Sequence, residues 1–390
     1  MRLLYDNLII QFTFRRTGHM QLFRQKTAVK SFDTPAEFVN EFALGANDFM
    51  LISRRVYEKY FAHLDLKCHV EFKSKYGMGE PTDIMMDALL KDYKLSGCSR
   101  IIAIGGGGVI DMAKVLVLKD AECTEDIFMR RMPIVKAHEL IAVPTTCGAG
   151  SEVSSVSITS ITSRSTKLGL ADEAIFPDCA VLIPQLLEEM PYEVFATSAI
   201  DALIHAAESY LSPKASPYTE LFSLEAIRLI ISGFTKVLTE GEAARMALLS
   251  DFLTASNMAG IAFANAGTGA VHAMSYPLSG KYHVTHGEAN YQFFTAVFKE
   301  YRRQRPEGKI LTLEALIAKE LGCDADKVYD ALESLLDRII PRKPLSAYGM
   351  TDPEADAFAK DVEELQQRLL NQSYVKFDIP TMAAIYRKLL

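Results

Sequence analysis

Ile101-Ile102-Ala103-Ile104-Gly105-Gly106-Gly107-Gly108-Val109-Ile110-Asp111-Met112-Ala113-Lys114 is the stretch that decides the fold. Its first four residues form a continuous apolar run, the pattern of a strand buried on both faces. From about Val109 the spacing becomes helical. The glycines between let backbone amides approach a ligand, and a helix start offers positive potential to a phosphate. A plainer reading is a tight strand-to-helix turn, yet four consecutive glycines exceed what a turn needs. The run is not the G-x-G-x-x-G fingerprint.

The same alternation extends to both sides. Phe49-Met50-Leu51-Ile52 precedes a helix-like stretch to His63, and Ile84 to Lys94 has helical spacing. Leu140-Ile141-Ala142-Val143 runs into Pro144-Thr145-Thr146, and Ala180-Val181-Leu182-Ile183 into Pro184. Apolar runs alternating with helices predict a doubly wound α/β domain with a parallel sheet. The second loop, Pro144-Thr145-Thr146-Cys147-Gly148-Ala149-Gly150-Ser151-Glu152, offers hydroxyls beside small residues. Both loops then fall at strand C-termini, where parallel sheets bind ligands. After Pro191 the strand signals nearly vanish. Residues 194–211, 217–238, 242–265, 312–321, 325–340 and 353–370 read as helices, so a helical second domain is expected. The boundaries are 20–190 for the α/β domain and 191–390 for the helical one.

Composition fits this plan. A chain of 390 residues suits two domains of ordinary size, and 49% apolar with 23% charged residues suits packed cores. The formal net charge of −7, without long basic runs, argues against nucleic acid and anionic membrane as partners. No uninterrupted apolar stretch reaches about 18 residues, so no transmembrane helix is expected. The six cysteines are scattered without a C-x-x-C pair, which fits reduced thiols and a cytoplasmic protein. Residues 1–19 look foreign to the rest of the chain. They lack a continuous apolar region and a small-residue cleavage site, and read as an extension ahead of Met20 rather than a signal peptide.

The strongest chemistry is a split set of metal-ligand types. Ser198 to Ala207 has apolar residues on all sides, and within it Asp201 and His205 are four apart and so on one helix face. A buried carboxylate and imidazole need partners. They either bond to each other or share a metal. Downstream, His272, His283 and His286 fall within one window of 15 residues. One carboxylate and several imidazoles suit Fe²⁺, Zn²⁺ or a similar divalent ion.

Together these residues resemble the iron-containing alcohol dehydrogenases. The resemblance rests on the glycine run with Asp111 and Lys114, the Pro144 to Glu152 loop, Asp201-x-x-x-His205, and His272 followed by His286-Gly287. Further stretches carry it from Met20 to Leu390: Tyr76 to Pro81, Ser212-Pro213, Tyr282 to Tyr291, and Arg342 to Leu345. They point to the branch acting on 4-hydroxybutyrate. The resemblance implies a dehydroquinate synthase-like fold: an α/β dinucleotide-binding domain, an all-α metal-binding domain, and substrate in the cleft between. It implies Asp201, His205, His272 and His286 as metal ligands, with Fe²⁺ expected and Zn²⁺ as the alternative. Gly106, Gly107, Gly108, Asp111, Thr145, Thr146 and Lys167 would bind NAD.

Several positions depart from the family pattern. Gly108 replaces a common Ser, Ala149 a common Thr, Ser53-Arg54 a common acid, and Tyr276 a common His. Arg54 stands where an acid selects NAD, and an Arg there can accommodate NADP. The implied reaction passes hydride between a nicotinamide and a primary alcohol, 4-hydroxybutyrate giving succinate semialdehyde. His283 and Tyr276, both in the ligand window, are the proton-transfer candidates. Lys281 is the nearest cation for a substrate carboxylate. The alternatives are a general primary-alcohol or diol dehydrogenase and, from another class, a dehydroquinate synthase-like metal-dependent lyase. The lyase should handle a phosphorylated substrate, and no extra Lys/Arg cluster stands near the window to hold one. A small-molecule substrate and a homo-oligomer of two or more copies are expected.

Overall fold

The computed structural model describes residues 21–164 and 166–390; the expectation for residues 1–19 lies outside them. Six strands make one parallel sheet: β1 (Ala28–Ser31), β2 (Asp48–Ile52), β3 (His69–Phe72), β4 (Arg100–Gly105), β5 (Glu139–Pro144) and, after a hairpin, β8 (Cys179–Leu182). Their order is β1-β8-β5-β4-β2-β3. Alternate residues of the central strands serve opposite faces. Phe49, Leu51, Ile101, Ala103, Leu140 and Ala142 pack towards α3 (Asp83–Ser96) and α4 (Gly107–Leu116). Met50, Ile52, Ile102, Ile104, Ile141 and Val143 join the core that continues into the helical part. β8 is likewise buried throughout, and this burial explains why β2, β4, β5 and β8 were legible as apolar runs.

The structure adds what that pattern could not show. β1 is exposed along its length and β3 lies at the opposite edge, so neither has a continuous apolar run. An antiparallel hairpin, β6 (Val156–Ile161) with β7 (Thr166–Ala171), stands apart from the sheet. The helix after the glycine run starts at Gly107 rather than Val109, because Gly106 already takes the extended N-cap conformation.

Beyond the sheet the chain is helical. The elements are α6 (Tyr192–Leu211), α7 (Pro217–Glu240), α8 (Leu249–Ala266), α9 (Ala270–Tyr282), α10 (His286–Gln304), α11 (Lys309–Leu321), α12 (Val328–Ile339), α13 (Asp352–Leu365), α14 (Gln367–Leu370) and α15 (Ile379–Lys388). Earlier in the chain lie α1 (Pro35–Glu41), α2 (Arg54–Tyr60) and α5 (Thr124–Phe128). The helix expected over 242–265 begins as a 3₁₀ segment, Glu242–Leu248. The stretch expected over 353–370 breaks at Gln366. α9, α10 and α15 were not foreseen. α6 is the centre, packed by α7, α8 and α10. Among the described residues, Glu242–Ala266 is apolar and long enough to cross a membrane, but 61% of its apolar window is buried in this fold. Its apolarity therefore serves the core. All six cysteines are free thiols.

Candidate metal and dinucleotide site

α6 is buried over most of its length, and its polar stripe is Asp201, His205 and Glu208. These positions follow i, i+4, i+7, the repeat of one helix face. α9 brings His272 to this stripe, and α10 begins with His286. One ligand atom from each of Asp201, His205, His272 and His286 lies within 4.8 Å of all the others. The sequence-predicted metal set is thus assembled from three helices.

The surroundings orient each ring. The His205 Nδ1–H faces the Gly148 carbonyl at 3.2 Å, which leaves Nε2 for the cluster. The His205 ring stacks between Phe263 of α8 and His272, with centroids 4.5 and 4.7 Å away. His272 Nδ1 donates to Glu208 Oε2 at 2.6 Å, and the Val271 N–H donates to Oε1 at 2.7 Å. His272 Nε2 is buried and has no hydrogen-bond partner. An orphaned imidazole nitrogen facing a carboxylate and two further imidazoles is what a metal ligand set offers. Asn290, one turn after His286, donates to Asp201 Oδ1 at 2.7 Å.

The electrostatics agree. Burial lowers the affinity of His205 and His272 for a proton, so both imidazoles are held neutral, as ligation requires. Burial works to raise the Asp201 carboxyl, but three imidazoles and Asn290 outweigh it and hold the group below its ordinary value. Burial pushes the Glu208 carboxyl up to about 7.

The two sheet loops meet beside this cluster. Gly105 and Pro144 are partners in neighbouring strands, and the Thr145 N–H donates to the Gly105 carbonyl at 3.1 Å. A Cβ on Gly107 would stand 2.6 Å from the Ala149 Cβ, and one on Gly106 would touch Thr146 at 3.4 Å. The two loops therefore pack backbone against small side chains. Half-buried Gly106, Gly107, Gly108, Thr145 and Thr146 line this junction. Gly148 sits so close to α6 that a Cβ would be 2.6 Å from the Ser198 carbonyl oxygen. That approach lets its own carbonyl reach His205.

Asp111 and Lys167 have engaged polar atoms. Asp111 accepts from Ser151 Oγ at 2.5 Å and from the Ile158 N–H at 3.0 Å, so it fastens the hairpin to the second loop. Lys167 reaches from β7 to Ser279 Oγ at 3.1 Å and pairs with Glu80. It bridges the hairpin and α9. Tyr276 is half-buried on α9, with its ring centroid 6.2 Å from that of His286. Burial raises its hydroxyl above the ordinary value. His283 caps α9 in a left-handed conformation, φ +56°, and is exposed. It stands outside the four-ligand cluster. Lys281, the expected substrate cation, is exposed, paired with Glu354, and lies over the Tyr282 and Phe358 rings. Arg54 follows β2 by two residues and lies over the Phe72 ring at 4.1 Å.

Comparison with known proteins decides the family. The model described as iron-containing alcohol dehydrogenase matches residues 23–184. Its companion, the C-terminal part of the Fe-containing alcohol dehydrogenase family, matches residues 195–390. This chain belongs to the iron-containing alcohol dehydrogenase family. A 4-hydroxybutyrate dehydrogenase of Clostridium kluyveri is 46% identical over 95% of this chain and 100% of its own length. Long-chain-alcohol dehydrogenase 1 of Geobacillus thermodenitrificans is 32% identical over 73% of each chain. In fold, the chain is similar to a 1,3-propanediol oxidoreductase, with TM-score 0.82, 22% identity, and coverage of 95% and 100%. It is equally similar to a sulfoacetaldehyde reductase of Bifidobacterium kashiwanohense in complex with NAD+, with TM-score 0.82, 20% identity, and coverage of 95% and 99%.

As a member of this family the chain is an oxidoreductase, and the lyase reading is set aside. The sequence reading missed two supports of the alcohol dehydrogenase site, Glu208 and Asn290. Each carries a legible signal: it sits three or four residues beyond a candidate ligand, on a helix face otherwise buried.

Proposed function

We propose that the chain interconverts 4-hydroxybutyrate and succinate semialdehyde, with NAD as hydride carrier and Fe²⁺ in the Asp201/His205/His272/His286 cluster. The observation that carries this is the cluster itself: four donors within 4.8 Å, one of them hydrogen-bonded to the loop that abuts the glycine run. The end-to-end similarity to the Clostridium kluyveri enzyme supports the substrate.

When bound, the divalent ion supplies Lewis acidity to an alcohol oxygen and the nicotinamide supplies a hydride acceptor. Asp201 brings the compensating negative charge. Glu208 and Gly148 fix the rings of His272 and His205 so that their other nitrogens converge. Gly106, Gly107 and Gly108, at the start of α4, offer backbone donors to the dinucleotide phosphates, with Thr145 and Thr146 beside them. Lys167 closes this side of the cleft through Ser279. Tyr276 is the better placed of the two proton-transfer candidates, since its ring lies against His286 while His283 is exposed.

The test is NADH formation by anaerobically Fe²⁺-loaded protein with a panel of alcohols and hydroxy acids. A kcat/KM for 4-hydroxybutyrate well above that for 1-butanol is expected. Equal values would replace this reading with a general primary-alcohol dehydrogenase. The same assay with NADP checks the cofactor: a clear preference for NADP would overturn NAD and give Arg54 the 2′-phosphate.

A further inference from the structure

His283 ends α9 with φ +56°, a left-handed conformation uncommon for a residue with a side chain. Val284 and Thr285 alone separate it from His286, the first residue of α10. Thr285 is the N-cap of α10, yet its side chain makes no capping bond. A short turn without that support thus decides where the His286 imidazole stands.

Ser279 holds this turn. It follows His272 by seven residues on α9 and so shares its face. Its buried hydroxyl donates to the Val284 carbonyl at 2.9 Å, across the turn. The same hydroxyl accepts from Lys167 Nζ at 3.1 Å, and Lys167 is paired with Glu80. A hydroxyl that accepts from an ammonium is polarised and becomes a stronger donor.

The far end of this chain of bonds is anchored in the α/β part. Lys167 on β7 stands opposite Ser160 on β6, and the Ser160 N–H donates to the Pro81 carbonyl at 3.0 Å. Lys73 Nζ fixes the loop before Pro81 by donating to the Gly77 and Gly79 carbonyls, each at 2.7 Å. Pro81 itself lies against the glycine run, where a Cβ on Gly108 would stand 3.1 Å from the proline Cδ. Contacts therefore run without a break from the glycine run to the turn that delivers His286.

We propose that Ser279, held by Lys167 and Glu80, is a positioning residue for the metal site: it fixes the Val284 carbonyl and with it the place of His286. This rests on reading the Asp201/His205/His272/His286 cluster as a divalent-metal site. Metal affinity should then depend on an ion pair that contributes no ligand.

The test titrates metal-free protein with Zn²⁺ against a competing chelator, so no turnover is needed. Ser279→Ala is expected to raise the Zn²⁺ dissociation constant about 10-fold, as loss of a group that orients a ligand does. Ser279→Thr, which keeps the hydroxyl, should recover most of that affinity. Glu80→Gln, a change on the far side of Lys167, should give a smaller rise in the same direction. Visible absorption of the Co²⁺-loaded protein should change shape in Ser279→Ala, because one imidazole has moved. Unchanged Zn²⁺ affinity in Ser279→Ala would overturn the proposal. Weaker affinity with an unaltered Co²⁺ spectrum would also overturn it and leave Ser279 a packing role. Unmodified affinity in Glu80→Gln would overturn the part assigned to Glu80. Failure of the unmodified protein to bind Zn²⁺ would instead overturn the reading of the cluster as a metal site.

Discussion

Glu208 shows how much a single side chain governs at this site. Both oxygens are used, one by the His272 ring and one by the Val271 N–H, so the ring has one orientation and one free nitrogen. Residues that orient a metal-binding imidazole typically contribute 10- to 100-fold to metal affinity. Glu208→Gln keeps the shape but replaces one carboxylate oxygen by an NH₂, which cannot accept. Its metal dissociation constant should rise by about that factor, read by titration against a competing chelator. An unchanged constant would show that α9 packing alone orients the ring. The candidate ligands were legible because Asp201 and His205 interrupt a largely apolar helix. Glu208 interrupts the same helix, but a search for ligand types alone passes over the group that bonds a ligand's far nitrogen.

At the scale of elements, the site depends on helices approaching more closely than ordinary side chains permit. α10 meets α6 at Gly287, where a Cβ would lie 2.6 Å from the Thr197 carbonyl oxygen and 3.4 Å from the Asp201 Cβ. The first contact is with rigid backbone, so a methyl group there must push α10 outward and carry His286 away from Asp201. Overpacking of this kind costs about 1–3 kcal/mol. Gly287→Ala should therefore lower stability by that amount and weaken metal binding more than a substitution on the exposed side of α10. Denaturant unfolding and a metal titration check both parts; full affinity in the variant would show that α6 yields instead. The pair His286-Gly287 was legible as a motif, but α9 and α10 were not legible as helices. α9 is buried on several sides, contains Pro277, and so has no apolar period to read. The edge strands failed for the opposite reason: exposure removed the apolar run that marked the central four.

Over the whole molecule, the Pro144 to Glu152 segment joins the two halves of the chemistry. Its beginning lies beside the glycine run, and its Gly148 carbonyl orients His205. At its end, Glu152 accepts from Asn257 of α8 at 2.8 Å, and Gly150 packs on Gly260 so tightly that a Cβ would be 2.4 Å from the Gly260 Cα. A divalent ion that binds the folded cluster and not the unfolded chain must stabilise this joined structure by mass action. At a thousandfold excess over Kd the gain is about 4 kcal/mol, enough to raise Tm by several degrees. Chelator-treated protein should therefore melt several degrees below Fe²⁺- or Zn²⁺-loaded protein, without any assay of turnover. His205→Ala and His272→Ala should each keep their far-ultraviolet circular dichroism yet lose the bound metal and the shift on metal addition. Each should also lose nearly all turnover. A full metal equivalent and an undiminished shift in either variant would dissolve the four-residue site, because a cluster that keeps its affinity without one of its imidazoles is not the one that α6, α9 and α10 assemble.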